Sequence, residues 1–305
     1  MLRFASPVAK RLALTIGALG FSAIGTAAIA QDYGYDQYSA DYQTGEQSAG
    51  SLAPFFSPTP VKSAKWIAIL SANVNYGPSF RGSDKYVYIP YPMVSIRRGG
   101  EARRPDIPGD GFDIDLLNND YVSFGPVGRY QPGRYYSDDR KLFGLRKLPW
   151  TIEGGAFAEV WPTYNLRGRV EFRHGFRDED GWVADLAADF VQPFGQFLFT
   201  IGPRATWGSD KTARNTFGIT PGEAALNNMV FPQHGLYTYK PQGGFQSAGA
   251  AASLGYQITD EWSTTATASY SRLIGDAGKS PIVRRLGDRN QFNISLKAAY
   301  AFGVY

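Results

Sequence analysis

Two residue patterns in this 305-residue chain could do chemistry. The first is "GDAGKS", Gly275 to Ser280, which has the look of a phosphate-binding loop. Such a loop needs G-x-x-x-x-G-K-S/T, with backbone N–H groups curled around the phosphates and a helix running on from the hydroxyl residue. Counting back from Gly278, the first glycine should stand where the chain has Leu273, and Gly275 comes two residues late. Ser280 is followed by Pro281, Ile282 and Val283, which carry no helical period. The run before it, "WSTTATASYS", alternates apolar and polar residues instead of forming a buried parallel strand. The stretch therefore reads as a loop in which Gly275, Asp276 and Gly278 turn the chain and Pro281 keeps it irregular. A sugar or phosphate contact through Lys279 is the competing reading.

The second pattern is a set of charges at every other position. Over residues 151–161, Glu153, Phe157 and Glu159 share a face opposite Ile152, Ala156, Ala158 and Val160. Over 165–174, Arg167, Arg169, Glu171 and Arg173 oppose Gly168, Val170 and Phe172. A three-residue turn at 162–164 would set Glu159 opposite Arg167 and Glu153 opposite Arg173. The next run places Asp185 and Asp189 on the same side, within reach of Arg173 and Arg169. A one-residue slip would throw every charge to the other face, so only even shifts are allowed. The expected chemistry is acid–base pairing, either as bracing or as a solute-selective constriction.

Catalysis has little to work with. General-base work on a serine usually falls to histidine, and the chain has only His174 and His234, neither in a nucleophile motif. With no cysteine, two isolated histidines make no metal-ligand set. No catalytic, cofactor-binding or metal-binding residue is expected, and no cofactor.

Positioning these charges calls for strands. In "WIAILSANVNY" (66–76), Trp66, Ala68, Leu70, Ala72, Val74 and Tyr76 share one face. "WSTTATASY" (262–270) and "QFNISLKAAYAF" (291–302) alternate in the same way. Each run is about the length at which a tilted strand crosses a bilayer, and aromatics stand at its ends where an interface girdle would be. Similar runs occupy 91–97, 112–117, 121–130, 151–161, 165–174, 182–191, 197–207 and 243–258. Short connections at 162–164, 192–196 and 259–261 alternate with long ones, the arrangement of an outer-membrane barrel. Barrels of this kind have even strand numbers, so a further strand is expected within 134–148. The fold class is an all-β transmembrane antiparallel β-barrel of about twelve strands, with ten as the alternative.

The ends set the compartment. Arg3, Lys10 and Arg11 precede an apolar run over 12–24, and "AIA" closes it at Ala30: a signal peptide over 1–30. Residues 31–64, rich in Gln, Ser, Gly, Tyr and Asp without period, read as a flexible periplasmic leader, and 65–305 as the barrel. The whole chain holds 31 Lys+Arg against 27 Asp+Glu. Three of those bases lie in the signal, so the remainder is close to neutral and does not point to nucleic acid. No window of 18 apolar residues exists beyond the signal, so no spanning helix is expected.

Four stretches, in order and spacing, resemble the MipA/OmpV family of outer-membrane proteins: "GPSFRGSDKYVYIPYPMVS" (77–95), "FGIT" with "PGEAA" (217–225), "YSRLIGDAGKSPIV" (270–283) and "NQFNISLKAAYAF" (290–302). The resemblance spans roughly 66–302 and implies a barrel in the outer membrane of a Gram-negative bacterium, in contact with its lipid. Gly275, Asp276, Ser280 and Pro281 belong to the family's signature loop. One member is described as a scaffold joining a lytic transglycosylase to a murein synthase; others are treated as porin-like or adhesive. The implied function is a scaffold or structural protein tied to murein enzymes, with a small-solute porin, receptor or adhesin as the alternative, and no nucleic-acid or nucleotide partner. The basic pairs Arg97–Arg98 and Arg103–Arg104 flank a turn on the periplasmic side and are candidates for contact with murein or a partner. One departure is the C-terminus, where Gly303, Val304 and Tyr305 follow the family's Tyr-x-Phe at Tyr300 and Phe302.

Overall fold

The computed structural model describes residues 64–98, 107, 109–119, 121–177 and 181–305. The expected signal peptide, the leader up to residue 63 and the pair Arg103–Arg104 lie outside the described residues, as do the side chains of Arg97 and Arg98.

One antiparallel sheet, eleven strands built from twelve strand segments, holds the described chain together. Along it lie β2 (Tyr86–Arg98), β1 (Trp66–Pro78), β12 (Asn290–Val304), β11 (Trp262–Leu273), β10 (Gly244–Gln257) and β9 (Phe197–Gly208). It continues through β8 (Trp182–Phe194), β7 (Leu166–Gly175), β6 (Thr151–Thr163) and β5 (Val122–Gln131) to β3 (Phe112–Asp113). The two-residue β4 (Leu117–Asn118) also pairs with β5, so β3 and β4 are two pieces of one interrupted strand. The terminal strands are joined: β1 meets β12 from Trp66 opposite Val304 to Tyr76 opposite Ile294.

The alternation in the sequence becomes alternation of burial. In β7, Arg167, Arg169, Glu171 and Arg173 are buried, whereas Leu166, Val170 and Phe172 are exposed. The same outward face carries Leu70 and Val74 of β1, Ile201 of β9, Leu254 of β10 and Ile294 and Leu296 of β12. Such a wall of apolar side chains suits hydrocarbon and not water. Aromatic pairs edge this band at two levels. Tyr76–Tyr88, Tyr130–Trp150, Phe172–Trp182 and Tyr270–Phe292 mark the end with long connections. Phe194–Phe197, Phe197–Tyr256 and Trp262–Tyr300 mark the end with short turns. These are the two girdles of a membrane barrel. Phe302 shares the outward face of β12 with Tyr300, and Tyr305 stands beyond the last strand residue.

The strand expected within 134–148 is not formed. Arg134 and Leu148 make one isolated bridge, Arg140–Leu142 is a 3-10 turn, and β5 pairs directly with β6. The parity rule misled here because β2 and β3, consecutive along the chain, do not run in opposite directions. Every neighbouring pair on the sheet is antiparallel, so β2 and β3, at its two edges, run in the same direction.

On the edge that meets no strand among the described residues, β2 is short of donors. Ser79 N donates to Lys85 O at 2.8 Å, which fixes the phase of the β1–β2 ladder. Pro90 and Pro92 therefore fall in its non-bonded pairs, opposite Val74 and Ala72, with their ring nitrogens turned away from β1.

The long connections fold into a small apolar core of their own. Four helices contribute: α1 (Asp210–Phe217), α2 (Pro221–Val230), α3 (Gly275–Lys279) and α4 (Pro281–Leu286). Phe80, Leu142, Ile219, Ala224, Leu236, Ile282 and Leu286 are buried together. The "GDAGKS" stretch thus corrects its reading as irregular loop. Gly275 sits in the left-handed region (φ 55°) at the head of α3. Asp276 accepts from Gln242 N at 3.0 Å. Ser280 is fully buried; its Oγ accepts from Ile282 N and donates to Phe217 O at 2.7 Å. Pro281 is the first residue of α4, where its missing N–H costs nothing. Helices of five and six residues are too short to print a period in the sequence.

Candidate functional site: an ion-pair network on the inner face

Five strands bring their charges together on the buried face. Glu159 on β6 accepts from Arg167 at 2.7 Å and Arg169 at 3.1 Å, both on β7, and from the indole of Trp161 at 2.7 Å. Glu153 accepts from Arg173 Nε at 3.1 Å. Arg173 also pairs with Glu171 on its own strand and with Asp185 on β8. Arg167 bonds Asp189 on β8 at 3.0 Å, and Asp189 receives Arg204 of β9 at 2.7 Å. Arg129 of β5 bridges Glu171 at 2.9 Å and Asp185 at 2.8 Å. Arg169 also reaches Glu171 at 3.0 Å and lies 4.1 Å from the centroid of the Phe157 ring.

The register differs from the expected one by two residues. Glu159 lies opposite Arg169, and Glu153 opposite Gly175. The cause is local: β6 runs on to Thr163, the turn shrinks to two residues, and a bulge between Val160 and Thr163 absorbs the difference. Pro162, which cannot donate to a ladder, sits inside that bulge. An even shift leaves every charge on the same face, so Glu159–Arg167 and Glu153–Arg173 meet along the diagonal instead of head on. Asp189 pairs with Arg167 and Arg204 and not with Arg169, which lies opposite Ala187.

The sequence reading left out several members. Asp110, just before β3, reaches Arg167, and Asp113, in β3, reaches Arg169. Gly111 N donates to Glu171 at 2.9 Å, and Thr206 Oγ1 to Asp185 at 2.6 Å. Asp113, Arg129, Arg204 and Thr206 all obey the period-two signal of their own strands and could have been found by extending it. Asp110 carries no such signal, because it precedes its strand.

The histidines stand apart from this network. His174 packs edge-on against Trp182, and His234 Nδ1 shares a 2.8 Å hydrogen bond with Asn227 Oδ1. No group of three or more metal-ligating side chains occurs among the described residues.

A curled antiparallel sheet with an apolar, aromatic-edged outer face and an ion-paired inner face defines an outer-membrane β-barrel protein. Residues 70–302 match the family described as MltA-interacting protein MipA, and the chain belongs to that family. Outer membrane protein Omp26La of Vibrio anguillarum is 25% identical over 212 residues, 64% of this chain and 75% of that protein. Outer membrane protein OmpV of Vibrio cholerae is 24% identical over 212 residues, with the same shares. Among solved structures, an outer membrane channel of Pseudomonas putida F1 aligns with a TM-score of 0.41 and 12% identity, over 81% of this chain and 98% of that one. The chain is a protein of the outer membrane of a Gram-negative bacterium.

Proposed function

We propose that this barrel is a braced scaffold for murein-processing enzymes and not an aqueous channel. Arg173 carries the reading: it is fully buried, and it holds three carboxylates from β6, β7 and β8. Paired charges of this kind fill the interior and pull neighbouring strands together. The family description, an MltA-interacting protein, supports a murein enzyme as partner. On this reading the chain is non-catalytic.

Conductance, melting, capture and hydrolysis assays test it. In planar bilayers the protein should show no large steady conductance, and Arg169→Ala should lower thermal stability without opening one. A large steady wild-type conductance would establish the porin alternative instead. Tagged protein should capture a lytic transglycosylase and a murein synthase from envelope extracts; failure to retain either removes the scaffold role. Cleavage of a phospholipid or peptide that His174→Ala or His234→Ala abolishes would show an enzyme.

A further inference from the structure

Ile107 and residues 109–111 lie against the inner face of the sheet without belonging to a strand. Ile107 is 1% exposed, buried with Trp161, Val191 and Leu198 at the short-turn end of β6, β8 and β9. From there the described chain climbs along the charged wall. Asp110 pairs with Arg167, and its Oδ1 lies 3.8 Å from Arg169 Nε. Arg129 donates to Gly109 O, and Gly111 N donates to Glu171 at 2.9 Å. Gly109 takes a left-handed φ of 94°, and Asp110 N donates back to Ile107 O at 3.3 Å. The result is a strap with an apolar foot and a carboxylate catch.

The wall does not need this strap to stay paired. Without Asp110, Arg167 keeps Glu159 at 2.7 Å and Asp189 at 3.0 Å. Arg169 keeps Glu159 at 3.1 Å and Glu171 at 3.0 Å. Lifting the strap therefore orphans no buried guanidinium, the event that makes most buried ion pairs costly to break. Gly109 O and Gly111 N are backbone groups that water satisfies as well. There is also room to move. At mid-depth on the inner face, Thr267 and Ser269 of β11 and Asn293 and Ser295 of β12 are only half-buried. Towards the short turns, Ser263, Ala299 and Ala301 of the same strands are buried.

We propose that this strap is a displaceable seal, held shut by Asp110, whose release admits water to the inner face between β6 and β9 while the wall stays folded. The proposal rests on the closed interior argued above and names the element that does the closing.

The chain has no cysteine, so single engineered thiols report access. Ile107→Cys, alone and combined with Asp110→Asn, is labelled in detergent with a water-soluble methanethiosulfonate. Ser269→Cys, with and without Asp110→Asn, serves as the mid-depth control. Labelling at position 107 should be slow and should quicken about tenfold or more with Asp110→Asn, since a lost charge-assisted hydrogen bond raises the open population by that factor. Labelling of Ser269→Cys should not change. Should Asp110→Asn fail to fold, Gly109→Ala replaces it. An added Cβ there meets only Arg204 Nε at 3.8 Å, so the left-handed backbone alone is strained. The proposal falls if position 107 labels equally fast with and without the releasing substitution, or if Ser269→Cys quickens by the same factor, which would mean general loosening. Its failure is separable from that of the closed-interior reading, which wild-type conductance in planar bilayers decides.

Discussion

Arg173 shows what a buried charge does in this wall. Removing it leaves Glu153, Glu171 and Asp185 facing one another with fewer cations among them. Breaking a buried pair costs about 3–5 kcal/mol, because the abandoned partner keeps its desolvation penalty. Arg173→Met, which keeps much of the side-chain bulk, should lower the thermal midpoint clearly in a circular-dichroism melt. An unchanged midpoint would mean that the network is not bracing the sheet. The face on which Arg173 lies was legible in the sequence, since a charge on a strand that faces lipid is excluded by cost alone. Its partners Glu153 and Asp185 were legible too, by counting across turns. The second cation on its carboxylates was not: Arg129, which shares Glu171 and Asp185 with Arg173, comes from a strand two places away on the sheet, a neighbour that no count along a hairpin supplies.

At the scale of the element, the helices among the long connections depend on single polar residues. Ser280 caps α4 and ties it to Phe217 O. Ser280→Ala should cost about 1–3 kcal/mol. Hydrogen exchange of the 275–286 amides should accelerate, while the sheet amides keep their protection. Glu223 completes a capping box with Thr220 in α2 and accepts from Arg146 N at 2.8 Å and Arg146 Nε at 3.0 Å. Burial alone would raise its pKa, but the hydrogen bonds from Arg146 and Thr220 prevail and hold it at about 2, below the ordinary 4.5. A depressed folded pKa means that this contribution is complete above pH 4.5 and is lost as pH falls towards 2. Limited proteolysis of the 132–150 segment should therefore quicken at about pH 3 relative to about pH 6, and Glu223→Gln should remove that difference. Equal rates at both pH values in the wild type would refute the coupling. These helices were not legible beforehand. Ser280–Pro281 and Thr220–Pro221 are good starts, yet neither is followed by enough residues to display a period. The strands were legible because period two repeats within four residues and recurs along the whole chain. Their register was not, because the turn after β6 moved to residues 164–165 and the bulge around Pro162 took back one residue of that shift, a net change of two.

At the scale of the molecule as a whole, the hydrogen bonding of β1 to β12 leaves β2 and β3 as the sheet's edges among the described residues. A free strand edge in hydrocarbon is adhesive, since an unsatisfied N–H there has no water to turn to. Bacterial outer membranes are crowded two-dimensional sheets in which barrels collide continually, and an edge with a full row of donors would recruit the same edge of its neighbour. Pro90 and Pro92 remove two alternate donors from that row, so a second copy finds an incomplete template. A Pro90→Thr/Pro92→Thr double variant should restore the row and raise the yield of cross-linked dimer in detergent above that of the wild type. If its cross-linking and sedimentation match those of the wild type, the prolines do not guard that edge. "YIPYPMVS" is thus less a strand weakened by proline than a strand made safe to expose.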